Sequence, residues 1–270
     1  MTNLGIIGLG LMGQALVEKL RQAGFGVVGY DREPSRCIDA TRAEDVITRC
    51  ERILVSLPDS YVVRDVLRPL PLRAGQIILD TSTGNPEHAA SLGEELGRRG
   101  VIYLDATISG SSAQVLRREV TAMVGGDEDA FRQCVDIFAC FASDTLHTGV
   151  CGTGAKMKLV TNLVLGLNRA ALAEGLAFAR EIGLTPEKSL EALTRGMAYS
   201  RIMDTKGPKM IARDFSLQAR LSQHLKDVRL ILAASAKELP LSKAHRELLE
   251  KAEALGCGDL DNSAILRAYD

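Results

Sequence analysis

The chain has 270 residues, 46% of them hydrophobic and 4% aromatic, and its 33 basic and 34 acidic residues leave a formal net charge of -1. That length holds one large domain or two smaller ones with ample core. The balanced charge, with no long Lys/Arg block, gives no long-range pull toward nucleic acid, and no apolar stretch approaches the roughly 18 residues of a membrane span. The apolar start is broken by glycines and has no basic leader, so the chain is expected to be cytosolic. Six scattered cysteines without a C-x-x-C pair read as free thiols, and His147 with Cys151 lacks the further ligands that zinc needs, so no metal is expected.

The first half alternates short apolar runs with amphipathic segments, the pattern of a parallel sheet flanked by helices. A strand over Leu4 to Gly8 leads into Gly8-Leu9-Gly10-Leu11-Met12-Gly13, and a helical segment follows from Met12 to Ala23. Strand, G-x-G-x-x-G and helix in that order are the context of a dinucleotide fingerprint. The first glycine permits the tight turn, the second lets a pyrophosphate approach, and the third packs the helix, whose N-terminus favours negative charge. The next strand, Val27 to Tyr30, ends at Asp31, about 20 residues past the glycines, where a carboxylate accepts from the adenine ribose hydroxyls. Asp31 favours NAD; Arg32 and Arg36 beside it can pair with a 2'-phosphate, which leaves NADP open. Ile53 to Leu57, Ile77 to Asp80 and Ile102 to Asp105 predict three more strands, and Pro86 opens a helix to Gly97. Val120 to Val124 predicts a further strand, and Asp129 to Phe141 a further helix.

After Gly154 the strand pattern disappears. A long Ala/Leu-rich helix is predicted to about Ile182, stopped by Gly183 and Pro186, with further helices at Pro186 to Arg195, Leu217 to Lys237, Leu241 to Leu255 and Ser263 to Tyr269. The fold class is therefore an α/β Rossmann-type domain over residues 1–152, followed by an all-α domain over residues 153–270. Its aliphatic helical faces suit burial against a second copy, in a homodimer or homotetramer. Within the run Gly152 to Asn162, Lys158 and Asn162 stand four residues apart on one helix face while Lys156 faces away, and Gly152 and Gly154 are expected to leave the helix start open to a ligand. Hydride transfer from an alcohol carbon needs a base for the hydroxyl proton, and a partly desolvated lysine near a cationic nicotinamide suits that task. His224 reads as structural, and neither His88 nor His245, the latter on a charged helical face, has a placeable carboxylate partner. Ser109 has no His and acid to activate it as a nucleophile.

Several motifs follow one another along the chain: the Gly8 to Gly13 fingerprint, Leu57-Pro58, Asp80-Thr81-Ser82-Thr83, Asp105 to Ser111, Met123-Val124-Gly125-Gly126, Gly152 to Asn162 and Lys226-Asp227. With them the whole chain resembles the 3-hydroxyacid dehydrogenase family, which includes 3-hydroxyisobutyrate dehydrogenase and tartronate semialdehyde reductase. The resemblance implies a helical domain like the C-terminal domain of 6-phosphogluconate dehydrogenase. It implies that Leu57, Pro58 and Val62 pass the cofactor, that Thr83 lies near the nicotinamide ribose, and that Lys226 closes over the cofactor. It further implies that Ser109, Gly110 and Ser111 hold a substrate carboxylate, that Lys158 is the catalytic lysine and that Asn162 orients the substrate.

Two positions depart from the family's pattern, Thr107 where Pro is usual and Ser111 where a second Gly is usual. Arg118 also stands where Gly is common, with Arg117 beside it, either as exposed loop cations or as partners of a second anionic group. The expected reaction is the NAD(P)-dependent interconversion of a small 3-hydroxy carboxylate, such as 3-hydroxyisobutyrate or glycerate, and its semialdehyde. The alternatives are a relative acting on a larger or phosphorylated acid or on an imine, and a dinucleotide-sensing protein without turnover; an imine reductase is expected to lack the lysine.

Overall fold

A computed structural model describes residues 3–270. The chain divides into two compact units, Met1–Lys158 and Leu159–Asp270. In the first, β1 (Asn3–Ile7), β2 (Gly26–Tyr30), β3 (Arg52–Val55), β4 (Ile77–Asp80), β5 (Ile102–Ser109), β6 (Val120–Gly125) and β7 (Ala142–Gly149) form one sheet in the order β2-β1-β3-β4-β5-β6-β7. The pairs from β2 through β5 are parallel, β6 runs antiparallel to β5, and β7 is parallel to β6. Helices α1 (Leu11–Gln22), α2 (Ala43–Arg49), α3 (Ser60–Leu67), α4 (Pro86–Gly97), α5 (Ser112–Leu116), α6 (Glu128–Arg132) and α7 (Val135–Phe141) connect them. Two apolar clusters, one around Leu4, Leu16 and Leu104 and the other around Ile7, Ile53 and Leu92, bury the sheet. Double-sided burial is why these strands read as continuous Ile/Val/Leu runs. The chain passes from β1 to β2 and then back across β1 to β3, so strand order reverses between β1 and β3, and in such sheets the crevice beyond the carboxyl ends at that point receives the ligand.

Three expectations are corrected in this unit. β5 continues past Asp105 to Ser109, which carries the strand up to the loop assigned to the carboxylate. The helix expected over Asp129 to Phe141 is two helices, because Cys134 between them has φ -113° and ψ 5°. Strand β7 was absent from the sequence reading: its residues after Ala142 are exposed or half-buried, and it lacks the apolar run that marks the inner strands.

Helix α8 (Thr153–Glu181) begins in the first unit and continues into the second. The second unit adds α9 (Pro186–Arg195), α10 (Ile202–Ala212), α11 (Leu221–Ala234), α12 (Pro240–Ala252) and a final 3-10 helix (Asn262–Tyr269) around Leu172, Leu176, Met210, Leu225 and Leu249. Sequence reading missed α10, which contains Pro208, a helix breaker, and Gly207. Packing explains the glycine, since a Cβ there would lie 2.6 Å from Leu190. A buried ion pair joins Lys206 Nζ to Asp261 at 2.9 Å.

His245 is also corrected, because it is only 2% exposed and not on an open charged face. Its ring lies 5.2 Å from that of His224, and a Cβ on Gly166 of α8 would stand 2.6 Å from both imidazoles, so this glycine admits them. Burial, with the Arg169 charge adding to it, pushes the His245 imidazole down to about 3. It is a neutral core residue. No helix among the described residues is long and apolar enough to cross a membrane.

Candidate active site

The glycine loop sits at the carboxyl end of β1, where it was expected. Gly8 has φ +97°, a conformation L side chains rarely adopt, and its N–H donates to the Tyr30 carbonyl at 2.8 Å. A Cβ on Gly13 would overlap the Gly8 carbonyl oxygen, whereas one on Gly10 would meet nothing within 4 Å. The three glycines therefore do different work: Gly8 turns the chain, Gly13 lets α1 pack on the turn, and Gly10 leaves an open face. Helix α1 has no side-chain cap and no acidic residue in its first turn, while Leu11 is 62% exposed and Met12 half-buried beside it. Open backbone at an uncapped helix N-terminus fits a pyrophosphate.

Asp31 closes the loop from β2. Its Oδ2 accepts the Leu9 N–H at 2.6 Å and its Oδ1 the Glu33 N–H at 2.9 Å. The carboxylate thus also braces the glycine loop, a role the sequence did not reveal, while retaining lone pairs for further donors. Arg32 and Arg36 are exposed. At the end of β3 the Leu57 N–H donates to Ser82 Oγ at 2.9 Å, which ties the Leu57-Pro58 loop to the segment that carries Thr83. Val62 and Thr83 are both half-buried, and the Asp59 carboxylate caps α3 by accepting the Tyr61 and Val62 N–H groups. Leu57, Pro58 and Thr83 follow the carboxyl ends of β3 and β4 in the same sheet.

Asp105 organises the start of α8. Its Oδ1 accepts the Gly152 N–H at 2.8 Å and its Oδ2 the Ala155 N–H at 2.7 Å, so a β5 side chain caps the helix that carries the lysine. Thr107 Oγ1 donates to the Gly154 carbonyl at 3.0 Å. A Cβ on Gly154 would overlap the Asp105 carbonyl oxygen and lie 2.6 Å from that of Met123, and one on Gly152 would lie 2.9 Å from the Pro86 carbonyl. This overturns the expected purpose of Gly152 and Gly154: they admit neighbouring backbone, and the helix start is closed, not open to a ligand. Burial raises the Asp105 carboxyl to about 6 despite those two N–H donors. A cavity of ≈ 10 Å³, near the size one water requires, touches Asp105, Asp80, Tyr103 and Thr107. In it Tyr103 donates its hydroxyl to Asp80 at 2.6 Å, and burial raises the Asp80 carboxyl as well.

Lys158 is 8% exposed and its Nζ donates to the Ile108 carbonyl at 2.7 Å, one residue before Ser109. The lysine and the expected carboxylate loop are therefore brought together by a contact spanning 50 residues of sequence. Lys156 is exposed, as its helix position predicted. Asn162, one turn on along α8, is 5% exposed, and its Nδ2 donates to Asp227 Oδ2 at 2.9 Å. Lys226 Nζ lies 3.6 Å from Asp227 Oδ1. Asp227 thus fixes which end of the Asn162 carboxamide is the oxygen.

The loop at Ser109, Gly110 and Ser111 is half-buried, and Gly110 has φ +146°. Ser111 is the N-cap of α5 in a reciprocal box with Gln114. Arg117 pairs with Glu119 at 3.0 Å and Arg118, also exposed, adopts a left-handed φ of 56°, the backbone reason a glycine suits that position. Sequence reasoning gave no role to Asp105, Asp227 or Gln114. Asp105 and Asp227 stood within the motifs, but only partners 47 and 65 residues away show what their carboxylates hold. For Gln114 the signal was available, a Ser followed three residues later by Gln at a helix start.

A family model described as the NAD binding domain of 6-phosphogluconate dehydrogenase matches residues 3–152, and one described as NAD-binding of NADP-dependent 3-hydroxyisobutyrate dehydrogenase matches residues 152–269. The chain is 30% identical to a 2-hydroxy-3-oxopropionate reductase of Escherichia coli (strain K12), over 99% of its own length and 97% of the relative's. It is 28% identical to glyoxylate/succinic semialdehyde reductase 1 of Arabidopsis thaliana, over 98% of each chain. Among solved structures, a Mycobacterium tuberculosis 3-hydroxyisobutyrate dehydrogenase with L-serine superposes with a TM-score of 0.89 at 25% identity, over 99% of this chain and 98% of that one.

Proposed function

The chain belongs to the 3-hydroxyacid dehydrogenase family and is an NAD(P)-dependent oxidoreductase, and from that premise we propose that it interconverts a small 3-hydroxy carboxylate and its semialdehyde with Lys158 as general acid and base. The observation that carries this reading is the 2.7 Å hydrogen bond from Lys158 Nζ to the Ile108 carbonyl, which holds the lysine beside the loop that begins at Ser109. The dinucleotide, when bound, supplies or accepts the hydride. The open face at Gly10 and the α1 N-terminus take its pyrophosphate, Asp31 its adenine ribose, and Leu57, Pro58, Val62, Thr83 and Lys226 the remainder.

In reduction, Lys158 as an ammonium donates a proton to the carbonyl oxygen and polarises it; in oxidation, the neutral amine takes the hydroxyl proton. Its hydrogen bond to Ile108 keeps the long side chain in one place, which lowers the entropy lost on reaching the reactive geometry. Asn162, whose carboxamide Asp227 has oriented, directs the reacting oxygen. The Ser109 hydroxyl and the backbone at Gly110 receive the substrate carboxylate, and 3-hydroxyisobutyrate and glycerate are the leading substrates. We assign the protein to the cytoplasm and to a homodimer or homotetramer, the helical unit's aliphatic faces being the support for assembly.

The test is turnover of malonate, methylmalonate, tartronate and succinate semialdehydes with NADH and with NADPH. Reduction of at least one of the three 3-oxo acids (malonate, methylmalonate or tartronate semialdehyde), with kcat/KM higher for NADH, is the expected result, because the Asp31 carboxylate repels a 2'-phosphate. Silence across the panel rules out the reaction, and a strong NADPH preference rules out the reading of Asp31.

A further inference from the structure

The Ser111 N–H donates to Gln114 Oε1 at 2.9 Å and the Ser111 hydroxyl donates to the same oxygen at 3.1 Å, while Ser111 Oγ accepts the Gln114 N–H at 3.3 Å. Both protons that Ser111 can offer therefore end on one carboxamide oxygen. With Oε1 assigned by two donors, the remaining end of the planar group is Nε2 with its two hydrogens. Gln114 is half-buried in the first turn of α5, and its Oε1 would lie 3.5 Å from a Cβ placed on Gly110. A carboxylate held against Gly110 would meet this carboxamide where a loop with a second glycine would offer it backbone N–H groups.

Resting on the reading that this loop receives the substrate carboxylate, we propose that Gln114 is a specificity-determining residue: its Nε2 donates to the carboxylate in place of Ser111, and its bulk shortens the pocket in favour of 3-oxo acids over the longer 4-oxo acid, succinate semialdehyde. The first half is a matter of satisfied donors. The Ser111 N–H and hydroxyl already have a partner, so drawing them to a ligand breaks two hydrogen bonds to form two, whereas Nε2 donates without that exchange. The second half is a matter of length, since one methylene in a fitted pocket discriminates by about 10- to 200-fold.

Two variants separate this role from a merely structural cap. Gln114→Glu keeps an acceptor for the Ser111 N–H, because either residue closes a capping box, but it has no donor and carries a like charge toward the carboxylate. We expect the KM for malonate semialdehyde to rise at least about tenfold in that variant through like-charge repulsion, with the KM for NADH and the melting temperature unmoved. Gln114→Ala opens the pocket and shifts the ratio of kcat/KM by at least about fivefold toward succinate semialdehyde, within the range for one methylene. An unchanged KM in Gln114→Glu, or an unchanged ratio in Gln114→Ala, overturns the inference while the wild-type reaction stands. If the wild-type chain reduces no semialdehyde of the four-compound panel, the functional reading fails and this inference fails with it.

Discussion

Lys158→Ala is expected to lower kcat for semialdehyde reduction by about 10³-fold, the middle of the range for a positioned general acid, and to leave NADH affinity within about twofold. The two effects separate because Lys158 lies on α8 and touches the end of β5, whereas the glycine loop and Asp31 lie at the ends of β1 and β2. Loss of the hydrogen bond to Ile108 costs about 1–3 kcal/mol of stability, so a melting curve must show the variant folded before its kinetics are read. Stopped-flow NADH fluorescence and steady-state reduction on one preparation make the measurement. Undiminished turnover removes the lysine from the chemistry; loss of NADH binding in a folded variant makes it a cofactor residue.

A second large effect is expected at Asp105, whose carboxylate caps two N–H groups at the start of α8. Asp105→Ala leaves both buried and is expected to cost about 3 kcal/mol, combining a lost N-cap with an unsatisfied donor. In a chain of this size that lowers the melting temperature by about 5–10 °C. Turnover falls as well, because the helix turn that leads to Lys158 loses its anchor on β5. Gly154→Ala is no milder alternative, since its Cβ would overlap the Asp105 carbonyl oxygen.

Asp105 also gives a pH signature. Its carboxyl holds its proton to about 6 when folded, against an ordinary value of 3.8, through burial. A group bound more tightly in the folded state adds stability below the unfolded value and loses it as pH rises through the folded one. Over that window the wild type is expected to lose about 3 kcal/mol relative to Asp105→Asn, at about 1.4 kcal/mol per unit. Urea unfolding of both proteins from pH 4 to 7 measures the difference, which cancels contributions common to both, including the opposite trend from neutral His245. Parallel stability curves overturn the assignment.

Much of the nucleotide-binding half was legible because its signals are local. The Gly8 to Gly13 spacing, the acid that ends β2 and the double-sided apolar strands each depend on neighbours within a turn or a strand. Strand β7 escaped because an edge strand has no need of an apolar run, and α10 because Pro208 and Gly207 break a propensity that packing on Leu190 restores. The glycines that open α8 were read for the wrong reason. The glycines mark close approach, yet only the fold shows that the Pro86 carbonyl of α4 stands against Gly152 and carbonyls from β5 and β6 against Gly154.

From the sequence alone a dinucleotide turn, an acid at the end of β2, and a lysine and an amide one helical turn apart could be placed. Helical and strand periodicity encode which residues share a face, and that information is short-range. Only the tertiary structure decided that Asp105 caps α8, that Ile108 receives the Lys158 proton donor, that Asp227 orients Asn162, and that Gly154 is packed and not open. Those hydrogen-bond partners lie 47 to 65 residues apart and meet only when sheet and helices pack, because burying a charged or polar group demands a partner wherever the fold can bring one.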